Sequence, residues 1–195
     1  SIDDPNGDGS PDTWNLIQDV ITAADPDIDF SQYTYLIVVH AGPGQETSGN
    51  TNDIWSCAYV MGIWFRTSHG VSYSKAAIVP EMENQGADTA GVIAHEFGHM
   101  LGLPDLYDPY GRNDYTGRWE LYGRGLWNGN PPGSTPAEMF AWEKIRLGWI
   151  SDSQIAVVAS GVVRNITLSP IEQNATTLVI KVPIADQAYY LLELR

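Results

Sequence analysis

The order of hydrophobic and polar residues predicts a chain of mixed helices and strands. Between residues 11 and 24, apolar side chains recur at the three- and four-residue spacing of a helix that packs along one face: Trp14, Ile17, Val20 and Ile21. Three compact runs rich in β-branched and aromatic residues follow, and each predicts a strand: Tyr33–Val39, Ile54–Phe65 and Tyr73–Val79. The first run is apolar almost throughout, so we expect a buried strand.

The second half of the chain predicts two further helices and a C-terminal β segment. Asp88 or Thr89 can cap a helix whose buried faces carry the apolar residues that follow. A capping box at residues 135–138 predicts a helix over residues 136–147. From Ile155 onward, short β-rich runs separated by turn residues predict three or four strands.

One segment reads His-Glu-Phe-Gly-His-Met-Leu-Gly-Leu-Pro-Asp and combines three candidate metal ligands with a candidate base. Residues four apart lie on one helix face, so His95 and His99 can direct their imidazole nitrogens at one ion while Glu96 lies beside it. Gly102 can adopt a left-handed conformation and turn the chain so that Asp105 supplies a third ligand. Three protein ligands leave a fourth zinc position open for water. The segment therefore predicts a zinc peptidase in which Glu96 is the general base.

The same residues leave other interpretations open. The spaced pattern of two histidines and a glutamate arises in roughly 0.4% of shuffled chains of this composition, which argues against two unrelated surface histidines. An inactive homologue could keep the motif. In a binding or adhesion module the metal would be structural, although structural zinc normally has four protein ligands. An amidase that acts on cell-wall amide bonds would use the same chemistry.

Composition narrows the class of protein. With 195 residues, of which 43% are hydrophobic, the chain can bury one substantial core, and we expect a catalytic domain over residues 1–150 and a C-terminal β segment over residues 151–195. The net charge of −14 excludes the basic surface of a nucleic-acid binder. No apolar run is long enough for a membrane span, and Cys57 is the only cysteine. We expect a secreted monomer that acts on protein or peptide substrates.

Two further groups of residues are candidates for secondary roles. The N-terminal spacing D-x-N-x-D-G-x-x-D offers four oxygen ligands that could wrap a calcium ion: Asp4, Asn6, Asp8 and Asp12. Asn15 stands where an EF-hand carries its closing glutamate, so a polar loop without metal is equally open. His40 ends the first predicted strand, and we keep it as an accessory candidate although such a histidine is more often structural.

Long stretches of the chain resemble the immune inhibitor A-like secreted metalloproteases, a metzincin-related family. The resemblance is carried by LGWIS after the last predicted helix, by the closing YYLLELR, and by three longer stretches: VVHAGPGQETSGNTNDIWS at 38–56, HEFGHMLGLPDLYD at 95–108 and WELYGRGLWNG at 119–129. It implies an α/β (α+β) fold of metzincin-like type, with a mixed twisted sheet, an active-site helix and an irregular lower part. It also implies zinc at His95, His99 and Asp105, Glu96 as catalytic base, secretion as a longer precursor, and calcium sites.

One position departs from the pattern of that family. Metzincins carry a methionine turn beneath the zinc, and Tyr122 stands where this family usually places the methionine. The tyrosine could reshape the floor under the histidine ligands, offer its hydroxyl to the metal or the substrate, or mark an inactive relative. All three alternatives stay open at the level of sequence.

Two expectations concern the surroundings of the metal. A hydrogen-bond partner must orient each imidazole, and Asp108 and Asp114 are candidates. An extended substrate can lie along an exposed strand edge, for which the strand at residues 57–65 is the candidate.

Overall fold

The chain folds into mixed α and β elements, and the computed structural model describes residues 13–60, 65–108, 113, 115–159 and 161–195. Contacts divide the chain into two compact units, Ser1–Ala137 and Glu138–Arg195. The domain boundary predicted after residue 150 lies inside the second unit. Within the described ranges, no helix combines the length and the apolar character needed to cross a bilayer.

The first helix, α1 (Thr13–Ala24), has the amphipathic character that its sequence predicts. Ile17 and Ile21 are buried in the hydrophobic core, and Trp14 packs against the same cluster. Val20 belongs to the predicted stripe but is 39% exposed, because it lies at the solvent edge of that face. The buried stripe is therefore narrower than the sequence pattern indicates.

A mixed sheet and two helices follow in the first unit. Their bounds among the described residues are β1 (Leu36–Pro43), α2 (Gln45–Ser48), β2 (Cys57–Tyr59), β3 (Phe65–Arg66), β4 (Ser72–Tyr73), β5 (Ala76–Met82) and α3 (Ala90–Met100). Three strands form a sheet in the order β1-β5-β2, and β3 pairs separately with β4. Because β5 is parallel to β1 and antiparallel to β2, the sheet is mixed, as predicted.

The central strand β5 is buried on both faces. Ala76 and Ile78 belong to the core cluster that includes the buried residues of α1. Ala77 and Val79 point to the opposite face, since successive strand residues alternate, and they are also fully buried. The helix α3 contacts both β5 and β2. The sheet thus supports the helix that carries the metal motif.

The first strand is less buried than its sequence predicts. Residues 33–39 predicted a buried strand, whereas β1 begins at Leu36 and leaves Ile37 and Val39 exposed by 40% and 59%. This strand lies at the edge of the sheet, where alternate side chains point to solvent. The expectation of full burial was wrong because an apolar run does not distinguish an edge strand from a central one.

The next two predicted strands have different bounds from those expected. The run at 54–65 forms β2 and then β3, which belongs to a different sheet. The run at 73–79 becomes β5 only from Ala76 onward. Between β4 and β5, Lys75 directs its ammonium group to the carbonyl oxygen of Met100 at 2.6 Å. This long-range contact lies at the interruption between β4 and β5, which strand propensity does not predict.

The described residues of the second unit form one α-helix and one sheet. Its elements are α4 (Ala141–Arg146), β6 (Ile155–Val157), β7 (Val179–Ala185) and β8 (Ala188–Glu193). The central strand β7 is parallel to β6 and antiparallel to β8. Five buried residues form the hydrophobic cluster of this unit: Ala141, Ile150, Ile171, Leu178 and Val179. The predicted C-terminal β segment is confirmed, with three strands among the described residues.

The helix predicted over residues 136–147 begins only at Ala141. The backbone N–H of Ala137 donates to a loop carbonyl earlier in the chain at 2.9 Å, which keeps this residue in the loop. The helix start is instead fixed by Glu143, whose carboxylate accepts the N–H of Phe140 at 2.6 Å. A tertiary hydrogen bond therefore overrides the capping signal in the sequence.

Replacing Ile17 by alanine tests the buried face of α1. Ile17→Ala should lower the free energy of unfolding by about 2–5 kcal/mol, because the deleted methyl groups leave a cavity in the core. Val20→Ala on the same helix should cost less than about 1 kcal/mol, since Val20 is partly exposed. Chemical denaturation followed by circular dichroism measures both losses, and equal values would contradict the assigned face.

Candidate metal centre and adjoining cleft

The helix α3 carries the metal motif and starts at a defined cap. The side chain of Asp88 accepts the N–H of Ala90 at 2.8 Å. Thr89 makes no capping hydrogen bond through its side chain. Of the two predicted caps, Asp88 is therefore the one that satisfies a free N–H at the helix start.

The end of α3 is a left-handed turn. Gly102 has a φ of +98°, as predicted from its place after the second histidine. The N–H of Leu103 donates to the carbonyl oxygen of Gly98 at 3.1 Å, which closes the turn. The chain then reverses and brings Asp105 back to the helix.

Three side chains converge at one point. The Nε2 atoms of His95 and His99 are 3.1 Å apart, and they lie 3.2 and 3.3 Å from Oδ1 of Asp105. Within the described part of the chain, these residues are the group of His, Cys, Asp and Glu side chains close enough to share a metal ion. The structure thus brings together all three ligands predicted from the sequence.

The outer nitrogens of both imidazoles bond to backbone carbonyls. Nδ1 of His95 lies 3.1 Å from the carbonyl oxygen of Leu121, and Nδ1 of His99 lies 2.7 Å from that of Leu103. A carbonyl oxygen only accepts, so each Nδ1 carries the proton and each Nε2 presents a lone pair inward. Two nitrogens and one carboxylate oxygen are a donor set that suits zinc.

The expected orienting groups differ from these carbonyls. Asp108 was a candidate partner of the imidazoles, but the backbone oxygens of Leu121 and Leu103 take that place. Asp114, the other candidate, lies outside the described residues. The prediction about Asp108 was wrong because every residue carries a carbonyl, so no residue type signals this role.

The three converging side chains alter one another's proton affinities. Burial alone would raise the pKa of Asp105, but the two neighbouring imidazoles outweigh it and hold that pKa below its usual range. Burial alone would lower the pKa of His99, but Asp105 outweighs it and raises that pKa. The carboxylate is therefore ionised at neutral pH.

Glu96 is buried beside the converging histidines and aspartate. The residue is 7% exposed, and burial raises the pKa of its carboxyl to about 7, although both histidines oppose that shift. A carboxyl with a pKa near neutrality can both accept and return a proton. This property suits the role of general base predicted for Glu96.

The segment 120–122 forms the floor beneath the ligands. The fully buried ring of Tyr122 lies 5.0 Å from the ring of His95 and 5.2 Å from that of His99. A Cβ atom built on Gly98 would lie 1.4 Å from the Tyr122 hydroxyl, so the hydroxyl occupies the space beside the helix backbone. The absence of a side chain at residue 98 is what lets the tyrosine fit there.

A cavity of about 290 Å³ opens beside the ligands. His95 and Glu96 line it together with three residues that sequence reasoning did not single out: Glu46, Trp55 and Trp127. All three fall within the stretches that carry the family resemblance, which was the available signal. His40 is not among the residues that line this cavity, and its Nδ1 contacts the carbonyl oxygen of Ala41 at 3.0 Å.

The calcium prediction cannot be placed on the structure. Its four candidate ligands lie outside the described residues: Asp4, Asn6, Asp8 and Asp12. It therefore stays a prediction from the sequence.

Two glutamates lie close together here: Glu46, which lines the cavity, and Glu83, which does not. The hydroxyl and the N–H of Ser56 both donate to the carboxylate of Glu46, and the hydroxyl of Thr47 donates to that of Glu83. Glu83 is 4% exposed, and its burial, with the nearby charge of Glu46, raises the pKa of its carboxyl to about 7. One of the two carboxyls is therefore easily protonated near neutral pH.

Comparison with known proteins identifies the family. Residues 22–150 match the family model described as the catalytic domain of immune inhibitor A peptidase M6. The chain belongs to this peptidase family. The resemblance seen in the sequence is thus confirmed, and residues 22–150 form a metallopeptidase-family domain.

Two relatives of this immune inhibitor A-type domain are much longer than the chain. Pre-pro-metalloprotease PrtV of Vibrio cholerae serotype O1 is 28% identical over 172 residues, which cover 77% of the chain and 18% of the relative. Immune inhibitor A of Bacillus thuringiensis subsp. alesti is 31% identical over 159 residues, which cover 63% of the chain and 23% of the relative. The chain thus spans less than a quarter of either protein. No solved structure matches it.

Gly98→Ala tests the contact between α3 and Tyr122. The added methyl group should displace the tyrosine from under the histidines and cost about 1–3 kcal/mol of unfolding free energy, with weaker zinc binding. Adding Tyr122→Phe should restore part of both losses, because it removes the atom that meets the methyl group first. Denaturation measures the stability, and competition with a zinc chelator measures the affinity for zinc. A Gly98→Ala protein with the stability and zinc affinity of the wild type would contradict the packing.

Glu83→Gln tests the buried carboxyl by its effect on pH dependence. Because the folded protein raises the pKa of Glu83 from 4.5 to about 7, its contribution to stability is complete below 4.5 and is lost as the pH rises through 7. The amide mimics the protonated acid, so the variant should gain stability over wild type at alkaline pH and little at acid pH. Glu81→Gln, at an exposed site two residues earlier in the chain, should not change this dependence in denaturation curves.

Proposed function

We propose that the chain is the catalytic domain of a secreted zinc-dependent endopeptidase with a metzincin-like arrangement. The observation that carries this proposal is the convergence of His95, His99 and Asp105 beside the buried carboxyl of Glu96. Secretion is supported by the name of the Vibrio relative, a pre-pro-metalloprotease. Calcium binding near the N-terminus remains part of the proposal on sequence grounds alone.

The residues of the site divide the chemistry among them. His95, His99 and Asp105 would hold a zinc ion, which supplies Lewis acidity toward the scissile carbonyl group and toward water. Glu96 takes a proton from the attacking water and then delivers it to the leaving amine, so that the peptide bond breaks into an acid and an amine. The backbone carbonyls on each Nδ1 keep both imidazoles in the orientation that this role needs.

The edge strand β2 is the proposed place for the substrate backbone. Among the residues that the structure describes, it pairs with β5 alone, in the sheet order β1-β5-β2, and it contacts α3. An extended peptide can add to such an edge through main-chain hydrogen bonds. Internal segments of a long substrate can form these bonds as well as its ends can. The described strand, Cys57–Tyr59, is shorter than the candidate edge at residues 57–65.

Tyr122 takes the place of the methionine expected beneath the metal. We assign it a positioning role, because its ring faces both imidazoles and its hydroxyl packs beside Gly98. That contact favours the first of the three sequence interpretations, in which the tyrosine shapes the floor of the site. His40 stays an accessory candidate with no assigned step.

Glu96→Gln tests the proposed base. The variant should cleave casein with kcat/KM reduced by about 10²–10⁴-fold at equal zinc content, because the amide cannot accept the proton. Glu172→Gln, an exposed glutamate far along the chain, should retain full activity. Zinc is measured by metal analysis and cleavage by mass spectrometry. Undiminished cleavage by zinc-loaded Glu96→Gln would refute the mechanism.

A further inference from the structure

The cavity beside the metal ligands combines aromatic walls with a carboxylate. Trp55, which is 56% exposed, and Trp127, which is half-buried, line it together with Glu46. The same cavity contains Glu96, so a side chain that enters it belongs to a residue close to the reacting bond. The chemistry of this wall therefore bears on which peptide is cleaved.

The carboxylate of Glu46 is held in a fixed orientation. Ser56, which is 4% exposed, donates both its hydroxyl and its N–H to the two carboxylate oxygens, with the N–H bond at 3.3 Å. A carboxylate offers about four lone-pair positions, so acceptor capacity remains for a ligand beside the bonds from Ser56 and the hydrogen bond with Glu83. Because the orientation is set before the ligand arrives, binding costs little reordering at this residue.

Space continues beyond Glu46. A second cavity of about 280 Å³ is also lined by Glu46 and Trp127, together with Asn84. Glu46 and Trp127 therefore border both spaces, and an occupant of either cavity lies close to the carboxylate.

The charges of the cavity favour a cationic group. Tryptophan faces attract ammonium and guanidinium groups, and a half-buried carboxylate forms stronger ion pairs than an exposed one. Arg124 also lines the cavity, but it is exposed, so its charge is more strongly screened than that of Glu46. The attraction for a cation should therefore prevail.

We propose that this cavity is a subsite for a lysine or arginine side chain of the peptide substrate, and that Glu46 is its specificity-determining residue. The proposal rests on the proposed peptidase function for its meaning in catalysis. It predicts binding preference as well as cleavage preference, and these two can be measured separately.

Cleavage is tested with one short neutral peptide, blocked at both ends, in which a single residue is varied near the cleavage site. The blocked ends leave the varied side chain as the source of positive charge. With zinc-loaded wild-type chain, lysine should raise kcat/KM at least about tenfold over norleucine, which has a similar length without charge. Glutamate should be disfavoured. Mass spectrometry identifies the bond that is cut.

Binding is tested with labelled forms of the same peptides and the Glu96→Gln protein, by fluorescence anisotropy. The lysine peptide should bind at least about tenfold more tightly than the norleucine peptide. Adding Glu46→Gln should abolish that preference, and Glu46→Lys should reverse it in favour of glutamate. Glu83→Gln is the matched control, because it removes the neighbouring buried carboxyl without changing the lining of the cavity; it should keep the preference.

The outcomes separate the two proposals. Lysine-dependent binding without cleavage by the wild type would overturn the peptidase proposal and support the subsite. Cleavage without a lysine preference, or a preference that survives Glu46→Gln, would overturn the subsite and leave the peptidase proposal intact. If the Glu46 variants unfold, as thermal denaturation would show, the lysine-to-norleucine comparison in the Glu96→Gln protein still decides.

Discussion

The enforced proximity of three electron-rich atoms is the constraint on which the site depends. Nε2 of His95, Nε2 of His99 and Oδ1 of Asp105 face one another at 3.1–3.3 Å, with both imidazole protons directed outward to carbonyls. Three inward lone pairs repel one another unless a positive charge lies between them. The helix spacing, the left-handed turn and the floor at Tyr122 together impose this arrangement, and a divalent cation converts the repulsion into ligation.

Several carboxyl groups are buried around the cleft. Glu96 and Glu83 are both buried deeply enough to raise the pKa of each to about 7, while Glu46 between the two cavities is held by Ser56. A buried acid destabilises the fold when it is ionised, and such groups cluster at functional sites. In the functions proposed above, Glu96 transfers the proton and Glu46 binds a substrate side chain, which would account for the acidic groups of the cleft.

Features that depend on local interactions along the chain were predicted correctly, and features that depend on long-range contacts were predicted less well. The helix at α3, its end at Gly102 and the three ligands were predictable because spacing along a helix and a turn is local. Strand bounds and the helix over 136–147 were predicted less well, because Ala137 is held by a bond to a distant loop and β1 lies at a sheet edge. Local propensity carries no information about either contact.

The sequence by itself determined the candidate metal ligands, the candidate base and the resemblance to the family, since these follow from residue types at short, fixed spacings. Only the tertiary structure decided which groups orient the histidines, where the hydroxyl of Tyr122 lies, and that Glu46 shares a cavity with Glu96. The physical reason is that backbone carbonyls look alike in every residue, and that contacts between distant segments arise from packing of the whole sheet and helix rather than from any local pattern.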